Sequence, residues 1–266
     1  MKLHRVSAMF LRHIYLYRHS LTRLVEIFYW PLLDLLVWGF VSLYITRLSA
    51  EGKSTPNFLG IFLGALILWD ILFRSQQGIS VSFLEEVWAR NFLNLFVSPL
   101  TIGEYLVSLM LVAVFKVVVV FLISALLAWV LYSFNLFIIG IYLLPFMLCL
   151  VILGWAIGIL TTSLILRFGQ QAEVLAWGVA FLFQPISAVF YPVSVLPKFL
   201  QKLALVIPAS YVFEGMRDII FGRAFPAGQL LKAFGLDLFY LLLALFFFFR
   251  MFKQVRARGL LAKMGE

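Results

Sequence analysis

The chain has 266 residues, 64% of them hydrophobic and only 12% charged, with a mean hydropathy of +1.05. A soluble core cannot hide that much apolar surface, so composition excludes an ordinary soluble domain and makes the bilayer the solvent. The formal charge of +9 is carried largely by the ends of the chain, a placement that sets membrane topology and argues against a nucleic-acid surface.

The apolar runs are long and continuous, which predicts helices and not the alternating strands of a barrel. Residues 1–20 are not a span. Leu3, Val6, Phe10, Ile14 and Tyr17 form one apolar stripe, with Lys2, Arg5, Arg12 and Arg18 falling largely elsewhere. That pattern predicts a helix lying in the cytoplasmic interface. No short apolar core with a cleavage site precedes it, so no signal peptide is expected.

The first span is predicted over Leu24–Ile45, with Pro31 as a kink and Asp34 near mid-depth. A polar loop over Arg47–Asn57 leads to a second span, Phe58–Ile79, which carries Asp70 and Arg74. These two are four residues apart and can pair along one face. The stretch Leu84–Leu100 then breaks the apolar series. It is amphipathic and holds Glu85, Glu86, Trp88 and Arg90. The third span, Tyr105–Leu131, has Lys116 near its middle. A turn at Tyr132–Asn135 leads to the fourth, Leu136–Leu166, in which Gly154 and Gly158 have the small-xxx-small spacing of closely packed helices.

The fifth span is predicted over Ala172–Tyr191, after a short polar turn at Arg167–Gln171. Pro185, Pro192, Pro197 and Pro208 then prevent a continuous helix. Phe199–Val206 and Ala209–Phe221 read as two helices too short to cross, which makes residues 192–226 an outer re-entrant region. The sixth span, Leu230–Phe249, carries Asp237, and the tail carries Arg250, Lys253, Arg256, Arg258 and Lys263. Six spans put both ends on one side. Twelve basic residues on that side against seven on the other predict that both termini are cytoplasmic. No repeat or linker divides residues 1–266, so one domain is expected.

Chemistry is scarce. There is no GxxxxGK[ST] phosphate cradle, no HExxH and no GxSxG. His4, His13 and His19 all lie in the basic amino-terminal helix, no metal site is expected, and the single cysteine, Cys149, excludes an internal disulfide. What remains are charges inside spans, which are functional hypotheses by default. Asp34 and Lys116 are expected to pair between the first and third spans, Asp70 with Arg74, and Asp237 with Arg217 or Lys232. A purely packing role for these pairs stays open.

In this layout the chain resembles the membrane subunit of type-2 ABC exporters. The resemblance rests on the interfacial helix, the six spans and the acidic helix ending in Ser98-Pro99-Leu100 with Glu104. It also rests on the outer region Phe190-Tyr191-Pro192 to Pro197, Pro208, Tyr211 and the Glu214/Arg217 pair, and on the ending RGLLAKMGE. The resemblance implies an all-α integral membrane fold in the cell (plasma or inner) membrane. It implies a membrane half made of two copies or two paired permeases, and a separate ATP-binding-cassette subunit that holds ATP and magnesium. The Leu84–Asn94 helix would be the coupling helix. Glu85, Glu86 and Arg90 would grip that subunit, and Val87, Trp88 and Phe92 would bury against it. A path at the dimer interface, lined by the first, second and fifth spans, would be capped by Phe190, Tyr191, Pro192, Pro197, Tyr211, Glu214 and Arg217. The expected cargo is amphiphilic: a drug, a lipid or a lipid-linked glycan. The competing class is a stand-alone ion-coupled transporter or channel that uses Asp34, Asp70 and Lys116 as a relay. An intramembrane transferase would need a catalytic cluster that the chain lacks.

Overall fold

A computed structural model of the chain describes residues 1–50, 58–223 and 227–258. The expected positions of Lys53, Lys263 and residues 259–266 of the tail lie outside the described residues, as do 224–226 of the outer region. The described residues fold into α-helices: α1 Leu3–Arg18, α2 Leu21–Ala50, α3 Phe58–Trp88, α4 Phe92–Val97, α5 Ile102–Tyr132, α6 Leu143–Phe168, α7 Glu173–Ile186, α8 Lys198–Ala204, α9 Pro208–Ile220 and α10 Ala227–Ala257. Among the described residues five stretches are long and apolar enough to cross a membrane: α2, α3, α5, Leu136–Phe168 and α10.

α3 is the hub, packed by α6 and α5 and also touching α2, α7 and α9. It runs well past the predicted exit at Ile79. The polar residues just before that point are buried against neighbouring helices. Gln76 Nε2 donates to the Ala176 carbonyl at 3.0 Å, and Ser75 Oγ donates to the Val151 carbonyl at 2.9 Å. Where polar groups find carbonyl partners on adjacent helices, a membrane helix need not end. Close approach comes from glycine. A Cβ at Gly154 would lie 2.7 Å from the Leu72 carbonyl oxygen, and one at Gly158 would lie 2.8 Å from that of Gln76. These two α6 glycines let the backbones of α3 and α6 touch.

Two further predicted spans change. The fourth span is not one helix: it opens with a 3-10 stretch over Leu136–Tyr142, itself kinked at Gly140 (φ 63°, ψ −139°), before α6 begins at Leu143. Pro145 falls in the first turn of α6, where an amide donor has no helical partner to lose. The fifth span shortens to the 14 residues of α7, about 21 Å of helix against a hydrocarbon layer of about 30 Å. It ends before Tyr191 because the chain turns at Ala188, which has φ 52°. The chain still follows α3 over most of its length. Trp88 meets Glu173, Phe73 meets Phe181 and Phe62 meets Phe190.

At one end of the bundle α1, α4 and the end of α10 gather in a single apolar cluster that includes Met9, Phe92, Phe252 and Val255. Both ends of the described chain are therefore on the same side. α8 and α9 occupy the opposite end, where Tyr211 donates to the Leu205 carbonyl at 2.7 Å and Tyr240 of α10 donates to that of Val206 at 2.8 Å.

α1 binds through a face that keeps Val6 and Tyr17 of the predicted stripe but replaces Phe10 and Ile14 by their neighbours Met9 and His13. Val6, Met9, His13 and Tyr17 are buried, and Leu3 is exposed. Its start is tied to the cap of α5. Thr101 and Glu104 form a reciprocal capping box, and Glu104 also accepts from the Lys2 backbone amide at 2.7 Å.

Candidate functional site

Three groups of residues were marked by the sequence, and the structure treats them differently. The first is the α4 end. The predicted Leu84–Asn94 coupling helix is in fact the last turn of α3, a left-handed residue at Arg90 (φ 52°) and the six-residue α4. Glu86 does not face outward. Its side chain is 3% exposed and is held by the Arg12 guanidinium of α1, whose second nitrogen donates at 3.1 Å, and by Asn91 Nδ2 at 2.8 Å. Val87 and Phe92 are likewise buried within the chain. The expectation that these three meet a partner gives way to an internal role: Arg12 of α1 holds Glu86, Phe92 packs on Phe83 and Tyr105, and Val87 lies in the same apolar cluster. Glu85 is mostly buried and lies 3.6 Å from Arg23. Among the described residues the exposed side chains here include Trp88, Arg90, Asn94 and Val97. Trp88 Nε1 donates to Glu173 at 3.3 Å, which joins the ends of α3 and α7.

His13 completes this joint. Its Nδ1 sits 2.9 Å from the Met9 carbonyl, and its Nε2 sits 3.9 Å from Glu86. Burial lowers its pKa from the usual 6.5. The Met9 carbonyl and Glu86 pull it up, and Arg12 and Lys116 push it further down. A histidine held neutral by folding takes up a proton more readily once α1 lets go. Its contribution is therefore fully present above the unfolded value and is lost as pH falls through the lowered one. Amide exchange across α1, corrected for intrinsic rates, is expected to speed up between about pH 8 and about pH 5. In His13→Leu that dependence should vanish.

The second group is the charges within spans. Arg74 Nε donates to Asp70 at 3.0 Å, the i,i+4 pair. Asp34 does not pair with Lys116. Lys116 Nζ donates to Ser82 Oγ at 3.3 Å and lies 4.7 Å from the centroid of the Tyr17 ring. Ser82 is twelve residues from Asp70 on α3, about 18 Å along the axis, and Asp34 lies at the Asp70 level. Asp237 is also not reached by Arg217 or Lys232. It is fully buried, and Cys149 Sγ donates to its Oδ2 at 2.8 Å. Arg217 is committed elsewhere.

Asp34, Asp70 and Arg74 line one cavity of about 440 Å³. Its walls come from α2, α3 and α7, the first, second and fifth of the expected spans. Trp30, Asp34 and Trp38 recur every four residues on α2. Asp70, Arg74 and Gln77 face it from α3, and Trp177, Phe181 and Gln184 from α7. The sequence reading missed Trp30, Trp38, Trp69, Trp177, Gln77 and Gln184. Their helical spacing was legible, but an aromatic stripe in a span also fits a lipid-facing side.

The third group forms a clamp at the α8–α9 end. Glu214 accepts from the Val193 amide at 2.6 Å. Arg217 pairs with Glu214 at 3.2 Å and donates to the Val189 carbonyl at 3.1 Å. Pro192 and Pro197 precede the short 3-10 turn and α8, and Tyr191 donates to the Pro185 carbonyl at 2.8 Å. Phe190 stacks on Phe62 at 4.8 Å and reaches the cavity. α9 thus holds the segment that closes the cavity at this end. Tyr211 bonds within its own hairpin and does not line the cavity.

Among the described residues no group of His, Cys, Asp and Glu could hold a metal ion. Among curated proteins none matches the chain. The ABC-2 type transporter family model matches residues 8–221, which takes in most of α1, the cavity helices, the α4 end and the clamp. A multi-pass helical chain with this match is the permease component of a transporter and not its ATP-binding one, and it belongs to the ABC-2 type transporter family.

Proposed function

We propose that the chain is the permease half of an ATP-driven exporter. It would work with a second copy or a related permease, and a separate ATP-binding-cassette subunit would hold ATP and magnesium. Six crossings, with α7 as the fifth, agree with the shared side of the two chain ends and with the course of the chain from Glu173 to Phe190 along α3. The weight of basic residues supports a cytoplasmic location for that side.

One observation carries the reading. α3 is a single unbroken helix that bears Asp70, Arg74 and Gln77 in the cavity wall and Trp88 at the exposed α4 end. A push on that end by a soluble partner would be transmitted rigidly to the cavity. The partner surface is Trp88, Arg90, Asn94 and Val97, and the cargo is an amphiphile moving along the α2–α3–α7 groove. Trp88→Ala combined with Arg90→Glu is expected to cut co-purification of the ATP-binding subunit by about tenfold or more while membrane insertion stays normal. Full retention of the subunit would rule this surface out.

A further inference from the structure

The cavity between α2, α3 and α7 has a chemistry of its own, and its ligand class can be inferred on the basis of the exporter reading. We propose that it receives an organic cation with an aromatic or branched apolar body, its charge held near Asp34 and Asp70 and its body against the indole faces. Three charged side chains line the cavity, two carboxylates and one guanidinium, so the lining has an excess of one negative charge. The guanidinium is already spent. Arg74 Nε is bonded to Asp70 Oδ1, and its NH1 lies 3.4 Å from Gln77 Oε1. Asp70 Oδ2 has no hydrogen-bond partner in the structure, and Asp34 has no ion pair among the described residues.

An unmatched carboxylate between membrane helices is costly unless a cation meets it. Asp70 already has Arg74, so a neutral amphiphile would leave Asp34 unmatched, and an anion would be repelled. A small inorganic cation would leave most of about 440 Å³ empty, a volume of the size that holds a small organic molecule. Four indoles, Trp30, Trp38, Trp69 and Trp177, face the same space, and tryptophan is the strongest side-chain partner for a weakly hydrated cation. The charge would sit toward Asp34. A smaller cavity of about 40 Å³ adjoins on the α4 side, sharing Arg74, Gln77 and Trp177, and there Arg23 and Lys116 outnumber Glu85.

Tetraphenylphosphonium and tetraphenylborate have nearly the same shape and opposite charge. The full-length chain in detergent is titrated with each, followed by tryptophan fluorescence with the micelle background subtracted. Tetraphenylphosphonium is expected to bind about tenfold tighter or better, and Asp34→Asn is expected to remove most of that preference without lowering thermal stability. Equal or tighter binding of tetraphenylborate would overturn the proposal and assign the basic lobe at Arg23 and Lys116 as the dominant seat. So would a preference undiminished in Asp34→Asn. If that variant misfolds, the comparison of the two ions on the unaltered chain still decides. The exporter reading fails separately: a chain that prefers the phosphonium but never associates with an ATP-binding subunit keeps the site and loses the exporter.

Discussion

Gly154→Val is expected to abolish the folded protein. The added Cβ alone would lie 2.6 Å from Ser75 Cβ and 2.7 Å from the Leu72 carbonyl oxygen. The second of these is backbone and can move only if α3 and α6 separate. Even Gly154→Ala is expected to cost about 3 kcal/mol, the upper range for overpacking a tight core, and Gly158→Ala nearly as much, since its Cβ would meet the Gln76 carbonyl oxygen at 2.8 Å. The check is the midpoint of detergent-driven unfolding of the purified chain. Because α3 forms one wall of the cavity, a variant that survives with separated helices should also bind cavity ligands more weakly. An unchanged midpoint in Gly154→Ala would mean that the two helices do not approach as closely as described.

The second large effect concerns Arg12. Removing it by Arg12→Ala leaves the Glu86 carboxylate buried with Asn91 as its remaining hydrogen-bond donor. Breaking a buried pair on one side costs about 3 kcal/mol or more, but Arg12 is 35% exposed, and screening reduces the expected cost to about 2 kcal/mol. The effect should be local. Amides of Leu3–Arg18 are expected to exchange faster, while those of α6 stay protected. Replacing both partners, as Arg12→Leu with Glu86→Leu, should recover most of the loss, because no uncompensated charge then remains. A double variant as unstable as the single one would show that α1 is held by something other than this pair. The same geometry changes how charge reversal at Glu85 and Glu86 must be read. Loss of partner binding in such a variant would follow from undocking α1 and would say nothing about contact with a partner, which is why Trp88 and Arg90 are the informative positions.

Much of this arrangement was legible in the residues. Helices came from the unbroken apolar runs, α8 and α9 from proline spacing, and a close helix contact of the fourth span from two glycines four apart, although its partner α3 did not. What misled was polarity inside helices. The second span was ended at Ile79, yet Gln76 and Ser80 on either side of that end are buried against the Ala176 carbonyl of α7, a partner that only the tertiary fold supplies. Glu86 suggested a wet surface for the same reason, since nothing in its local sequence points to Arg12, 74 residues earlier. The Asp34–Lys116 pairing failed because depth along two helices was judged from each run separately, and a shift of a few turns separates the charges. Cys149 and Asp237, 88 residues apart, depend on the register between α6 and α10, which neither stretch encodes by itself. The cavity stripes on α2, α3 and α7 were visible as spacing. Only packing shows that the three converge and do not face lipid.

The central claim is that α3 carries the partner's movement to the cavity wall. It is tested most directly by labelling Phe181→Cys, on a Cys149→Ser background, with a membrane-impermeant maleimide in the complex with its ATP-binding subunit. The proposed coupling predicts that trapping the subunit with ATP and vanadate changes the labelling rate by about tenfold, and that Trp88→Ala with Arg90→Glu removes the change. The same rate with and without trapped nucleotide, in a complex whose subunit hydrolyses ATP, would contradict it.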